Sequence, residues 1–382
     1  MMRAPVKIRL AALALLIRLA PQAAAGWLES ARSAYARKDY TYALRLFRLL
    51  AGRGDASAQY SLAFMYHSGQ GVPQDVAEGV NWYRRAADQG HARAQVNLGS
   101  IYAHGQGVPQ DFVEAAKWFR LAADQGYARA QTYLGSMYTL GQGVPQDFAE
   151  ALQMYLEAAR QGDVPSLYNL GVMFDRGQGV MQDFVEAAKW LRLAADRGYS
   201  PAQANLGSMY AHGQGVQQDY LEAAKWFRLA ADQGYARAQT NLGSLHSLGH
   251  GVPQDFAEAA KWFRLAADQG HARAQAHLGS LYARGQGLPC SYTDAVNWYR
   301  KAADAGDALG QYYLGVMYYE GLGVPQDYLL AHKWMNLAAA CFAPAENEQR
   351  VKAIEERDLL ASKMTPAQIA EAQQLAREWA PK

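Results

Sequence analysis

Apolar residues recur along this chain in pairs of runs with helical spacing, and each pair is interrupted by a glycine-rich turn. In residues 92–103 and again in residues 112–123, one face of a predicted helix is apolar or small. These faces hold Ala94, Leu98, Ile101 and Tyr102, and then Phe112, Ala115, Phe119 and Ala122. Because neither helix can bury its apolar face alone, the pattern predicts helical hairpins that pack against one another.

The turn residues fit such a hairpin. Gly105 follows the first helix, where a glycine accepts the left-handed conformation of a helix C-terminus. Val108-Pro109 favours extended backbone, and Asp111 with Glu114 three residues later predicts a capping box at the second helix. Gly99 lies inside the first apolar face, where glycine costs roughly 1 kcal/mol relative to alanine. We therefore expect the partner helix to approach closely at Gly99.

The hairpin recurs every 36 residues, without insertion or deletion, in eight copies that cover residues 56–343. The copies begin at Ala56, Ala92, Ala128, Val164, Ser200, Ala236, Ala272 and Ala308. Self-similarity at a fixed period is typical of a solenoid. It outweighs the chain length, which alone would suggest two or three domains, because a solenoid is one quasi-one-dimensional array.

The recurring pattern LGxxYxxGxGVPQDxxEAxxWxxxAAxQG resembles the Sel1-like repeat, a relative of the tetratricopeptide repeat. The resemblance covers residues 56–343 and implies an all-α protein, an α/α solenoid of helical hairpins wound as a right-handed superhelix. It also implies an adaptor or binding scaffold, since most members of the family serve as one.

The flanking segments are interpreted as caps for the array. Residues 26–55 look like a degenerate capping helical pair, and residues 344–382 like C-terminal capping helices whose last member begins after Thr365. Terminal repeats of solenoids are usually atypical because their outer face meets water. A partner-binding role for the last helix is the alternative.

Residues 1–25 are interpreted as a signal peptide cleaved after Ala25, with basic residues ahead of the apolar run Leu10–Ile17. Arg18 interrupts that run, which is far shorter than the roughly 20 residues a membrane span needs. We therefore expect a periplasmic or secreted protein without a membrane span, with a cytoplasmic protein as the alternative.

Net charge and cysteine content limit which partners and which disulfides are expected. Removal of residues 1–25 removes four cations and no anions, which changes the formal net charge from +2 to −2, so no nucleic-acid partner is expected. Cys290 and Cys341 should lie roughly 20 Å apart at opposite ends of their hairpins, too far for a disulfide with each other. A disulfide between two chains stays open, as does the oligomeric state.

The sequence predicts no candidate active site. His246 and His250 are four residues apart but lack a third metal ligand nearby, and no acid and base are matched. We predict no catalytic residue, no metal ligand and no cofactor. The cysteine-rich branch of Sel1-like proteins, for which β-lactam binding or hydrolysis has been proposed, is not matched, and such an enzyme is kept as an alternative.

The candidate binding residues lie on the first helices, which line the concave side of helical-hairpin solenoids. They are Arg93, Asn97, Arg129, Tyr133, Asn169, Asn205, Arg237, Asn241, Arg273, His277 and Tyr313. Side-chain amides can both donate to and accept from an extended peptide, and the arginines favour an acidic segment or a C-terminal carboxylate. Duplication of one founder repeat would also produce these columns, whether or not they bind anything.

Together these features predict a non-catalytic adaptor of the cell envelope whose partner is a protein or extended peptide. A secreted factor that binds a host protein, or a purely structural spacer, would fit the same pattern of residues.

Overall fold

A computed structural model describes residues 21–381, and in that range the chain is helical, with no strand. The described chain divides between Gln182 and Asp183 into two compact units, here called unit 1 and unit 2. Unit 1 contains α1 Pro21–Ala36, α2 Tyr40–Ala51, α3 Ala56–Ser68, α4 Val76–Asp88, α5 Ala92–His104, α6 Phe112–Ala123, α7 Ala128–Leu140, α8 Phe148–Arg160 and α9 Val164–Arg176.

Unit 2 contains α10 Phe184–Ala195, α11 Ser200–His212, α12 Tyr220–Asp232, α13 Ala236–Leu248, α14 Phe256–Asp268, α15 Ala272–Arg284, α16 Tyr292–Asp304, α17 Ala308–Glu320, α18 Tyr328–Cys341, α19 Asn347–Ala361 and α20 Pro366–Arg377. A short 3₁₀ turn, Pro344–Glu346, precedes α19. The all-α fold and the hairpin repeat predicted from the sequence are confirmed. The predicted signal peptide lies mostly in residues 1–20, outside the described residues.

The predicted helix ends are confirmed, but the capping box is not. Gly105 has φ 66°, and its N–H donates to the carbonyl of Ile101. Asp111 accepts hydrogen bonds from the N–H groups of Val113 and Glu114. Glu114 does not reach back to the cap; its carboxylate accepts a 2.9 Å hydrogen bond from Trp118 Nε1. The N–H of Asp111 donates instead to the carbonyl of Tyr102 at 2.9 Å, so it is not available to Glu114.

Gly99 marks a close approach, as predicted, but to a side chain. A Cβ atom at Gly99 would lie 2.8 Å from Cε1 of Phe119, a buried ring on α6 of the same hairpin. Gly135 meets Tyr155 and Gly243 meets Phe263 in the same way. The glycine thus lets the large ring of the second helix pack flat against the first helix.

Paired glutamines connect successive hairpins. Gln95 is buried, and its Nε2 donates to the carbonyl of Ala87 at 3.1 Å while its Oε1 accepts from Gln125 Nε2 at 2.8 Å. Ala87 belongs to the preceding hairpin, so one side chain links two repeats. The glutamine pairs are Gln59/Gln89, Gln95/Gln125, Gln131/Gln161, Gln203/Gln233 and Gln239/Gln269. Gln59, Gln203 and Gln239 also donate to a carbonyl of the preceding hairpin, whereas Gln131 donates to Glu157 of its own hairpin. Because buried polar groups are costly unless bonded, the bonds to the preceding hairpin help to specify how the hairpins stack.

The last hairpin of unit 2 is covered by the C-terminal segment. Phe342 is buried with Ala308 and Tyr312, and the Tyr312 hydroxyl donates to Glu356 on α19 at 2.9 Å. The capping box predicted at the start of α20, between Thr365 and Gln368, is present. These contacts place α19 and α20 against the end of the repeats.

Two further findings concern the described residues. Cys290 and Cys341 are both free and exposed. None of the described helices combines the length and the apolar character that a bilayer crossing would require.

Candidate ligand-binding face on the first helices

All eleven predicted binding residues occupy the second or sixth position of the first helix in a hairpin. We call the side chains at these two positions the first-helix face of their unit. The sixth-position residues are half-buried, whereas Arg93, Arg129 and Arg237 at the second position are exposed. The two positions therefore differ in what they can offer a ligand.

In unit 1, Asn97 and Tyr133 at the sixth position lie against the core aromatic residue of the preceding hairpin. Asn97 is hydrogen-bonded to the buried Tyr83 hydroxyl, and burial raises the pKa of that tyrosine. Tyr133 stacks on Phe119, with ring centroids 4.9 Å apart. Asn169 makes no side-chain hydrogen bond within the described chain, so its amide is available to a ligand.

In unit 2 the sixth-position residues make contacts that differ from one hairpin to the next. Asn205 accepts a 3.3 Å hydrogen bond from Arg237 Nη1. His277 stacks on Phe263 at 4.9 Å and Tyr313 on Tyr299 at 5.2 Å between centroids. Within the described chain, the side chain of Asn241 has no hydrogen-bond partner. The predicted column is therefore a mixture of free amides, bonded amides and rings that already pack on the core.

His277 is uncharged at neutral pH. Burial lowers its pKa to about 4, and the charges of Arg273 and His271 lower it further. A cationic role for His277 in binding an acidic ligand is thereby excluded near neutral pH.

The arginines at the second position have four different environments. Arg129 Nη2 donates to the Tyr133 hydroxyl at 3.0 Å, and Arg237 reaches Asn205. Arg273 forms ion pairs with Asp307 at 2.7 Å and Glu346 at 2.6 Å. Arg93 forms no ion pair with a carboxylate of the described chain.

The ion pairs of Arg273 make it a structural residue rather than an open binding group. Arg273 also lowers the pKa of the Glu346 carboxyl, chiefly through their hydrogen bond. Glu346 lies in the 3₁₀ turn before α19, so Arg273 fastens the C-terminal segment to α15. No sequence pattern indicated this pairing, because the two residues are 73 positions apart.

A pocket in unit 1 includes residues that the sequence analysis did not select. It has a volume of about 750 Å³ and is lined by Arg32, Tyr60, Ser61, His91, Ala92, Arg93 and Tyr127. A smaller cavity of about 230 Å³ shares Arg32, Tyr60 and Ser61 and adds Tyr35, Phe47 and Phe64. Arg32 and Tyr35 belong to α1, which lies in the segment interpreted as an N-terminal cap.

Arginines on the second helices serve the fold. Among the described residues, six of them donate through Nη2 to a tyrosine hydroxyl on the first helix of the next hairpin, as in the 3.1 Å bond from Arg300 to Tyr318. The pairs are Arg48–Tyr66, Arg84–Tyr102, Arg120–Tyr138, Arg192–Tyr210, Arg264–Tyr282 and Arg300–Tyr318. These hydrogen bonds hold neighbouring hairpins together, so the paired arginines serve the fold.

Within residues 21–381, no group of three histidine, cysteine or carboxylate side chains could hold a metal ion. His246 is buried, whereas His250 is exposed and packs on Tyr220 at 4.7 Å between centroids. The two histidines therefore have separate packing roles.

Comparison with known families accounts for the period. The Sel1 repeat model matches nine segments: residues 22–55, 56–91, 92–127, 128–163, 164–199, 200–235, 236–271, 272–307 and 308–341. The chain belongs to the Sel1 repeat family. Eight of the matches begin where the sequence repeats begin, and the remaining match, residues 22–55, covers the segment interpreted as an N-terminal cap.

Solved structures agree with this Sel1 repeat assignment. The chain is 35% identical to a Sel1 repeat protein from Oxalobacter formigenes, with a TM-score of 0.58 over 81% of this chain and 89% of that one. It is 32% identical to a protective antigen present in uropathogenic Escherichia coli strains, which displays a Sel1-like repeat fold, with a TM-score of 0.52 over 93% and 91% of the two chains. Among curated proteins, no match was found.

Proposed function

We propose that this chain is a non-catalytic protein-interaction scaffold that binds a peptide or protein segment on its first-helix face. Sel1 repeats, like tetratricopeptide repeats, generally serve protein interaction. The observation that carries the proposal is a set of polar groups that have no partner in the described chain and lie at half-buried or exposed positions. They are the amides of Asn169 and Asn241 and the guanidinium of Arg93. Such groups can bind the backbone and side chains of an extended peptide.

Asn169 and Asn241 give the sharpest test, because neither amide supports the fold through a hydrogen bond within the described chain. The double variant Asn169→Ala/Asn241→Ala should keep its helical circular dichroism. Its matched control, Asn81→Ala/Asn297→Ala, removes two exposed amides from the second helices α4 and α16.

The assay is crosslinking and affinity capture from the envelope fraction, followed by reconstitution of binding with each purified captured protein. A partner that binds the wild type and the control but not the Asn169/Asn241 variant supports the scaffold. Equal binding by all three proteins would place the interaction elsewhere on the chain. An empty capture would favour a structural spacer.

We also propose export to the periplasm or beyond. The support is the basic, apolar and small-residue order of residues 1–25. Amino-terminal sequencing of the protein purified from its native host should find Gly26 as the first residue. A chain that retains Met1 or Met2 and fractionates with the cytoplasm would contradict export.

A secreted factor that binds a host protein is the second candidate. It is favoured by the 32% identity to a protein described as a protective antigen of uropathogenic strains. The assay is detection of the protein in culture supernatant and its binding to purified host proteins.

A β-lactam enzyme is the third candidate, and the free Cys290 and Cys341 weigh against it because that branch of the family is cysteine-rich. We expect no β-lactam turnover above that of a heat-killed control.

A further inference from the structure

We propose that Arg32 and Arg93 together bind a glutamate or aspartate carboxylate of a partner peptide, and that an apolar side chain near that carboxylate packs on Phe64. This docking site lies wholly within unit 1 and rests on the proposed scaffold function. It names the chemistry of the partner segment, which is an acidic residue with an apolar residue close to it in sequence.

The first support is charge. Arg32 on α1 and Arg93 on α5 line the same pocket, and neither forms an ion pair with a carboxylate of the described chain. The charge of Asp55 acts on His91 in this pocket, but Asp55 is engaged as the cap of α3 and accepts the N–H of Ala58 at 2.7 Å. His91 stays neutral at neutral pH, since burial and the two arginines lower its pKa. The pocket therefore has an excess of positive charge.

The second support is a carboxylate that the chain itself supplies to an equivalent arginine. Arg273 occupies in its hairpin the position that Arg93 occupies in its own, and it binds Glu346 at 2.6 Å. Four residues before Glu346, Phe342 is buried against Ala308 and Tyr312. Unit 2 thus shows that an arginine at this position of the repeat binds a glutamate from a segment that also buries an aromatic ring.

The third support is Phe64, which departs from the repeat. Phe64 is 39% exposed and, with Tyr35 and Phe47, lines the smaller cavity of about 230 Å³ next to the arginines. Five other hairpins have serine at this position: Ser100, Ser136, Ser208, Ser244 and Ser280. Duplication of a founder repeat therefore does not explain an exposed ring here. An exposed apolar group beside a cationic pocket suits a ligand that has both characters.

The test uses the full chain and a fluorescein-labelled peptide with the sequence Phe-Ala-Pro-Ala-Glu-Asn-Glu, which copies residues 342–348. Binding is followed by fluorescence anisotropy at low ionic strength. We expect Arg32→Gln and Arg93→Gln each to weaken binding roughly tenfold, because a charge-assisted hydrogen bond is about twice as strong as a neutral one. Raising the salt concentration should weaken wild-type binding as well.

Three controls separate the parts of the site. Arg45→Gln removes an exposed cation of α2 that does not line the pocket and should leave the affinity unchanged. A peptide with both glutamates replaced by glutamine should lose most of its affinity. Phe64→Ser installs the residue that other hairpins have at this position, so it should fold normally and still weaken binding severalfold.

Equal affinity of the wild type, Arg32→Gln and Arg93→Gln would overturn the proposal. So would equal binding of the glutamine peptide, an absence of binding at millimolar peptide, or full displacement of the peptide by an equal concentration of inorganic phosphate, which would indicate a general anion site. The scaffold function is tested separately, by whether the Asn169/Asn241 variant still binds the reconstituted partner. If that partner still depends on the amides while the peptide ignores the arginines, only this docking site is wrong.

Discussion

The glutamine pair is incomplete in the hairpin of α15 and α16, and completing it should stabilise unit 2. Gln275 is buried, and its Nε2 donates to the Ala267 carbonyl at 3.2 Å. Its Oε1 has no hydrogen-bond partner among the described residues. The reason is Ala305, which occupies the position where the complete pairs have their second glutamine. The substitution Ala305→Gln should supply the missing donor.

The backbone at this position is already suitable. Ala305 has φ −81° and ψ 3°, and Gln269 has φ −82° and ψ 1° in the preceding hairpin, where its Nε2 reaches Gln239 at 2.8 Å. A new hydrogen bond contributes about 0.5–1.5 kcal/mol net, and it relieves a buried acceptor whose desolvation costs about 1–3 kcal/mol. Ordering the glutamine side chain opposes this by up to about 1.5–2 kcal/mol. We expect a net gain of about 1 kcal/mol in the free energy of unfolding.

Urea unfolding and amide hydrogen exchange in α15 to α17 measure the gain. Exchange is included because repeat arrays need not unfold in two states. Ala305→Met covers a similar area without an N–H donor and is the matched control. The reasoning is refuted if Ala305→Gln is no more stable than Ala305→Met, or if the gain persists when Gln275 is changed to leucine.

Three further changes follow from the contacts. Arg273→Gln should lower the stability of the C-terminal segment by about 1–3 kcal/mol at neutral pH, because the half-buried carboxylates of Asp307 and Glu346 lose their partner. Since the folded pKa of Glu346 lies below its usual 4.5, this contribution is present above pH 4.5 and disappears as the pH falls below it, which hydrogen exchange in α19 at two pH values will detect. Between pH 6.5 and about 4 the unfolded chain binds a proton at His277 that the folded chain does not, so the wild type loses stability as the pH falls through this range. His277→Asn should abolish this loss, which the urea midpoint measured across the range will show. Gly99→Ala should cost about 1–3 kcal/mol by overpacking against Phe119, and Phe119→Leu in the same chain should restore part of the melting temperature; a neutral Gly99→Ala would contradict the close approach.

The hairpin could be predicted from sequence because its determinants are local. Gly105 and Asp111 end and begin helices through bonds to residues within four positions. The capping box failed because the N–H of Asp111 already donates to the carbonyl of Tyr102 on the first helix, and Glu114 accepts from Trp118 Nε1 instead. A motif of spacing alone does not show which backbone donors the fold has already engaged.

The contacts between hairpins could not be predicted in this way. Gln95 recurs plainly in the repeat, but only packing brings its Nε2 to the carbonyl of Ala87 in the preceding hairpin. The partner of Arg273 lies outside the repeats altogether. The pocket of Arg32 was missed because the segment of α1 and α2 was interpreted as a cap, although its exposed arginine and the ring of Tyr35 face a cavity.

Identical residues at identical repeat positions do not have one role. For the arginines at the second position, the role depends on the residue 34 positions further on and on what that residue already binds. Arg273 meets Asp307 there and pairs with it. Arg129 has Asp163 at the same distance, but that carboxylate already accepts from Thr132 and from the N–H of Ser166, so Arg129 turns to its own helix. Arg93 has Tyr127, which supplies no carboxylate, and its charge is therefore left for a ligand. A binding site in this array is best sought where a repeated arginine has no carboxylate to pair with. In unit 1 that residue is Arg93, and the exposed Phe64 lies beside its pocket.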